Sequence, residues 1–125
     1  MIPRIYIAGP YTAPTRRERE AHVARARQVA RAVHRLGVAI VCPHISGIEM
    51  EDVRPDLDWT WWMEATSQDL ETCHAVVVVD GWEGSTGTCQ EIKQAARDDQ
   101  PVFYADSDGN PPEGLAQFIE DWWYR

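Results

Sequence analysis

The chain has 125 residues, 44% of them hydrophobic and 26% charged, with a formal net charge of −8 at pH 7. That length suits one domain over residues 1–125 with its own core, and that charge argues against a surface that coats a nucleic-acid polymer, which needs clustered cations. No apolar run approaches the ~20 residues that cross a bilayer, no leader pattern opens the chain, and three cysteines without a Cys-x-x-Cys spacing suit reduced thiols in a cytoplasmic protein.

Pro3 to Ala8 reads as a first strand, ending at Gly9-Pro10. After the polar turn Tyr11 to Thr15 a long helix is expected. Thr15 is its N-cap, with Glu18 at the capping-box position, and Gly37 follows its last residue, Leu36. Val23, Ala26, Ala30 and Val33 share one face of that helix. Seven arginines lie along it, most of them reading as a solvated face, with Arg16 and Arg17 near its start as the exceptions. Val38 to Cys42 is a second strand, stopped by Pro43.

Pro43 to Leu57 shows no clear period and is expected to be a long loop of functional character. A second helix is predicted over Asp58 to Thr72, and a third strand over Ala75 to Val79. The β-branched run in that strand implies burial on both faces, as in a parallel sheet. A helix over Thr88 to Arg97, a strand over Pro101 to Tyr104 and a last helix carrying Leu115, Phe118, Ile119 and Trp122 complete the chain. Strands alternating with helices predict an α/β, doubly wound, Rossmann-like and mainly parallel sheet of four to five strands with flanking helices. Ligands of such sheets bind beyond the carboxyl ends of the strands. The loops after Gly9, Pro43 and Asp80 are therefore expected to meet there.

One stretch concentrates chemistry: Gly84-Ser85-Thr86-Gly87-Thr88-Cys89-Gln90-Glu91, between a buried strand and a helix. A glycine-rich turn entering a helix presents backbone N–H groups and a positive dipole end to an anion. Glu91 is expected in the first turn of that helix, kept ionised by the dipole and aimed into the crevice. Trp82 offers a flat face for a base, and His44 lies at a strand end. Cys42 with His44, and Cys73 with His74, fit no usual zinc spacing, so neither a metal nor another cofactor is expected.

The order of these motifs resembles the nucleoside 2-deoxyribosyltransferase-like superfamily. Ile5-Tyr6-Ile7-Ala8-Gly9-Pro10-Tyr11 is similar to its first strand and substrate loop, and Arg17-Glu18-Arg19 to the opening of its long helix. Ala65-Thr66-Ser67-Gln68-Asp69-Leu70 resembles its Ala-Thr-Tyr-x-Asn-Asp-Leu motif less one residue, and Ser85 to Glu91 resembles the segment that carries its nucleophile. Gly81-Trp82-Glu83-x-Ser85-x-Gly87 is similar to a small bacterial and phage branch. Gly84-x-x-Gly87-Thr88-x-x-Glu91 also resembles part of a phosphoribohydrolase signature, which implies nearly the same reaction class.

The resemblance implies cleavage of the bond between a base and (deoxy)ribose. Glu91 would be the nucleophile, Asp69 would hold the base or assist its departure, and Tyr6 would orient the nucleophile. Gly9, Pro10, Tyr11, Arg17, His44, Asp80, Trp82, Ser85, Thr86 and Gly87 would line the substrate site. Superfamily members that take free nucleosides carry an aspartate at the position of Ser85, and those that hydrolyse nucleoside 5′-monophosphates a serine. A serine does not repel a phosphate. The expectation is therefore an N-glycosidase of a nucleoside 5′-monophosphate, with deoxyribosyl transfer or nucleotide sensing without turnover as the alternatives. The surplus of tryptophans, and the resemblance itself, imply a homodimer or a higher homo-oligomer.

Overall fold

The computed structural model describes residues 1–124. Among them, four strands alternate with five helices: β1 (Arg4–Ala8), α1 (Arg16–His34), β2 (Ala39–Val41), α2 (Pro43–Met50), α3 (Trp59–Glu71), β3 (Ala75–Val78), α4 (Thr86–Arg97), β4 (Val102–Tyr104) and α5 (Glu113–Trp123). The sheet is parallel throughout, in the order β2-β1-β3-β4. Ile5 pairs with Ile40 on one side and Ala75 on the other, and Val77 pairs with Phe103. The chain leaves β1 to one side for β2 and returns past it to β3, so the carboxyl ends of β1 and β3 flank the switch point of the sheet.

Strand alternation sends the core to two faces. Ile5, Ile7, Val77 and Val79 meet Val29, Ala30 and Val33 of α1 and Leu115 and Ile119 of α5. Tyr6, Ala8, Val76 and Val78 meet Leu70 and Cys73 at the end of α3 and Ala95 of α4. Phe118 and Trp122, the other members of the α5 stripe, are only half-buried; Phe118 stacks on Phe103 and Trp122 on His74.

Local signals set most boundaries. The Thr15 hydroxyl accepts from the Glu18 amide at 3.2 Å, and Gly37 takes a φ of 85° after α1. Asp58 caps α3 through the Trp61 amide at 2.9 Å. Residues 43–57 depart from the expected loop, because Pro43 to Met50 form α2. Pro43 stands at its first position, where a missing N–H costs nothing. Its buried face is short, His44, Gly47 and Ile48, and a glycine in the middle hides the period. That glycine lies against the Tyr11 ring, 3.8 Å from where a Cβ would stand.

Candidate functional site

Tyr6 lies mid-strand in β1 and points to the α3/α4 side, where it is 1% exposed. Its hydroxyl donates to Oε2 of Glu91, which is 7% exposed. The sequence expectation of an oriented glutamate is therefore met in geometry, but by a different physical setting. Ser85 is the N-cap of α4 and Thr86 its first residue, so Glu91 is the sixth residue, in the second turn. There the dipole is weaker than at the end. Burial dominates instead and pushes the Glu91 carboxyl up to about 7, with the Tyr6 hydrogen bond acting in the opposite direction. Burial, and then the charge of Glu91, push the Tyr6 hydroxyl far above its ordinary range, so it keeps its proton and donates.

Thr66 and Asp69 of α3 also act on the Tyr6 hydroxyl, Thr66 through its side chain and Asp69 through its charge. Asp69 is exposed, on the turn that follows Thr66. The expected trio Glu91, Tyr6 and Asp69 is thus gathered around one hydroxyl. A cleft of about 290 Å³ runs beside it between α3 and α4, lined by Met63 and Ser67 on one side and by Gln90, Glu91, Lys93, Gln94 and Arg97 on the other. Ser67 donates to Gln94 Oε1 at 2.8 Å and Gln94 Nε2 donates back to the Ser67 carbonyl at 3.1 Å, which clasps the two helices.

Met63 and Gln94 are not among the expected site residues, and Ser67 enters only as part of the Ala65–Leu70 motif; in the sequence, Ser67 lies one turn after Met63, and Gln94 three residues after Glu91.

The expected substrate loops are mostly occupied by the protein itself. Gly9 has a packing reason: a Cβ there would stand 2.8 Å from Val79, so glycine is required for β1 and β3 to pack at their ends. His44 is buried, and its Nε2 donates to the Gly9 carbonyl at 2.8 Å and the Pro10 carbonyl at 3.2 Å, which braces the loop and removes the ring from ligand contact. The Tyr11 hydroxyl donates to Glu51 at 2.5 Å.

Arg16 pairs with Glu20, Glu51 and Asp52 and is not free to meet an anion. Arg17 is exposed with no ion pair among the described residues. Trp82 packs on the core and on Tyr104, ring centroids 5.4 Å apart. Asp80 is exposed just past β3.

The Ser85 hydroxyl is a cap, accepting from the Thr88 amide at 3.3 Å and pairing with the Thr88 hydroxyl at 2.8 Å, so it is less available to a phosphate than expected. Thr86 and Gly87 stand at the first two positions of α4, where amides have no acceptor inside the helix. Gly87 faces α3: a Cβ there would lie 3.2 Å from Met63 Sδ.

The match to known families covers this whole assembly. The chain belongs to the family described as "Domain of unknown function (DUF1937)". That family's match spans residues 3–107, from the start of the sheet past β4. A comparison with curated proteins gives no match. The DUF1937 match thus includes Tyr6, Asp69, Glu91 and the cleft, and leaves α5 outside it. Among the described residues no three His, Cys, Asp or Glu side chains gather as a metal site, and no helix is long and apolar enough to cross a membrane.

Proposed function

We propose that this protein hydrolyses the N-glycosidic bond of a nucleoside 5′-monophosphate, releasing the base. The observation that carries the reading is the buried Glu91 carboxylate, held by the Tyr6 hydroxyl beside a cleft and in no ion pair among the described residues. An ion pair would spend that carboxylate; a single neutral donor orients it and leaves one oxygen for chemistry. In the reaction, ionised Glu91 attacks C1′ and the C1′–N bond breaks. The base leaves with a proton supplied by water or by Asp69. Water then cleaves the glycosyl ester and restores the carboxylate.

The amides of Thr86 and Gly87 offer the phosphate an anion-binding helix end. Glu91 stands about 7 Å further along the same axis at 1.5 Å per residue, a separation of the order of that between the phosphate and C1′ of one nucleotide. The test is chromatographic detection of free base over a panel of nucleotides and nucleosides, with Glu91→Gln as the control. Turnover that survives this substitution overturns the reading. A new nucleoside on addition of a second free base assigns transfer in place of hydrolysis, and thermal stabilisation by nucleotides without base release assigns a sensor.

The reading includes a homodimer. Trp59 and Trp61 in the first turn of α3 and Val53 ahead of it are exposed, at 44%, 45% and 66%. Large apolar side chains left exposed in this way are of the kind that subunits cover. Light scattering at micromolar concentration is expected to give at least twice the chain mass, and a clean monomer overturns this part. Three free cysteines, one of them buried, fit a reducing, cytoplasmic setting.

A further inference from the structure

A second feature lies far from Glu91. Strand β2 is an edge of the sheet. Its Ala39 amide donates to Pro3 at 3.1 Å, toward β1. In a parallel ladder alternate residues serve the same neighbour, so the N–H and C=O of Ile40 turn to the open edge. All three residues of β2 are half-buried, not covered.

Alongside this edge runs one side of α1. Arg31, His34 and Arg35 form a cavity of about 360 Å³ with Ile40, and Arg27 lies near enough to Cys42, just past β2, for its charge to act on that thiol. Arg27, Arg31 and Arg35 are exposed, and none has an ion pair among the described residues, in a chain of net charge −8. At the helix start Arg16 and Arg19 instead pair with Glu51.

The spacing is informative. Residues four apart on a helix are separated by about 6 Å along its axis. Alternate side chains of an extended strand, all on one face, are separated by about 6.6–6.8 Å. A strand added beside β2 therefore presents every second side chain to this row of arginines nearly in step.

We propose that the β2 edge is a docking site for an extended acidic polypeptide, which adds as a strand beside Ala39–Val41 and sets alternate Asp or Glu side chains against Arg27, Arg31 and Arg35. Main-chain bonds to Ile40 hold the strand, and the arginines select its charge. A second copy of this chain docked by the same edge would bring its own arginine row against this one, because a two-fold contact is self-facing. A nucleic acid would use the cations but not the sheet edge.

The test uses a short fluorescein-labelled peptide in which glutamate alternates with threonine and valine, read by anisotropy at low salt. Binding is expected, weakened at least ~tenfold by Arg31→Glu with Arg35→Glu and abolished by N-methylation of alternate peptide amides. The peptide is also expected to slow hydrogen exchange at the Ile40 amide. N-methylation leaves the protein untouched, so the proposal stays open to refutation even if the double variant folds poorly. Each of four results overturns it: no binding, equal binding of a peptide with its glutamates in one block, tighter binding of a single-stranded oligonucleotide, or unchanged exchange at Ile40 in the bound state.

Discussion

Two glutamates in this fold each receive a tyrosine hydroxyl, Glu91 from Tyr6 and Glu51 from Tyr11, and their chemistry diverges. Glu91 is buried and in no ion pair among the described residues, and burial pushes its carboxyl up to about 7. Glu51 stands at the C-cap of α2 with its side chain 17% exposed, between Arg16 and Arg19. Desolvation pushes it up as well. The hydrogen bonds of Tyr11 and Arg19 and the charges of both arginines outweigh that, and its carboxyl falls below the ordinary value of 4.5. The hydroxyl partner is common to both sites, so the tyrosine does not decide the outcome. Access to water and to a guanidinium does. On the proposed reading the first arrangement leaves a carboxylate able to react near neutral pH; the second makes a clasp between α1, α2 and the loop after β1.

The strongest way to break this contrast is Glu91→Gln. If Glu91 is the reactive carboxylate, base release should drop at least ~10³-fold while the circular-dichroism spectrum is retained. The same substitution reports on stability. Glu91 holds its proton in the folded state above its ordinary value of 4.5, so its contribution is full below that pH and is lost as pH rises to about 7. The wild-type chain should therefore lose stability across that interval, on the order of 3 kcal/mol, and Glu91→Gln should flatten the profile. Urea titrations at a series of pH values measure it, and a wild-type profile that is flat from 4.5 to 7 contradicts the buried-carboxyl account.

Tyr6→Phe sharpens the comparison. It removes the one donor to a buried carboxylate and should cost about 1–3 kcal/mol. It should also push Glu91 further up, since the Tyr6 bond opposes burial; carbonyl-carbon NMR titration of Glu91 reads this directly. Glu51→Gln should have the smallest effect, about 1 kcal/mol, and that loss should shrink in high salt. Its sign is opposite: the Glu51 contribution is present above its ordinary value and lost as pH falls through its lowered one. Equal salt sensitivity in Glu51→Gln and Tyr6→Phe would erase the distinction between the two sites.

Periodicity and punctuation carried the fold. Capping at Thr15, the positive-φ glycine at 37 and the β-branched run 75–79 are local signals, and a local signal is readable wherever it is strong. Helix α2 escaped because Pro43 and Gly47 suggest a break and its apolar face is a single turn wide. Helix α4 starts two residues earlier than expected because the Ser85 hydroxyl is a cap. The contacts of the loop after β1 are hidden in the sequence for a related reason. Nothing in Gly9, Tyr11 or His44 taken singly shows that Val79, Glu51 and two carbonyls already occupy them.

The sequence by itself determined the alternation of strands and helices and the parallel sheet, whereas the trio Tyr6, Asp69 and Glu91 was implied only by the resemblance. The alternation and the sheet follow from hydrophobic period, chain order and the handedness of crossovers, all properties of short segments. The protonation of Glu91, the neutralisation of Arg16 and the sealing of the Gly9 loop were decided by tertiary structure alone. Each depends on how far a charge lies from water and from its nearest partner, and those distances exist only once segments remote in the chain have packed together.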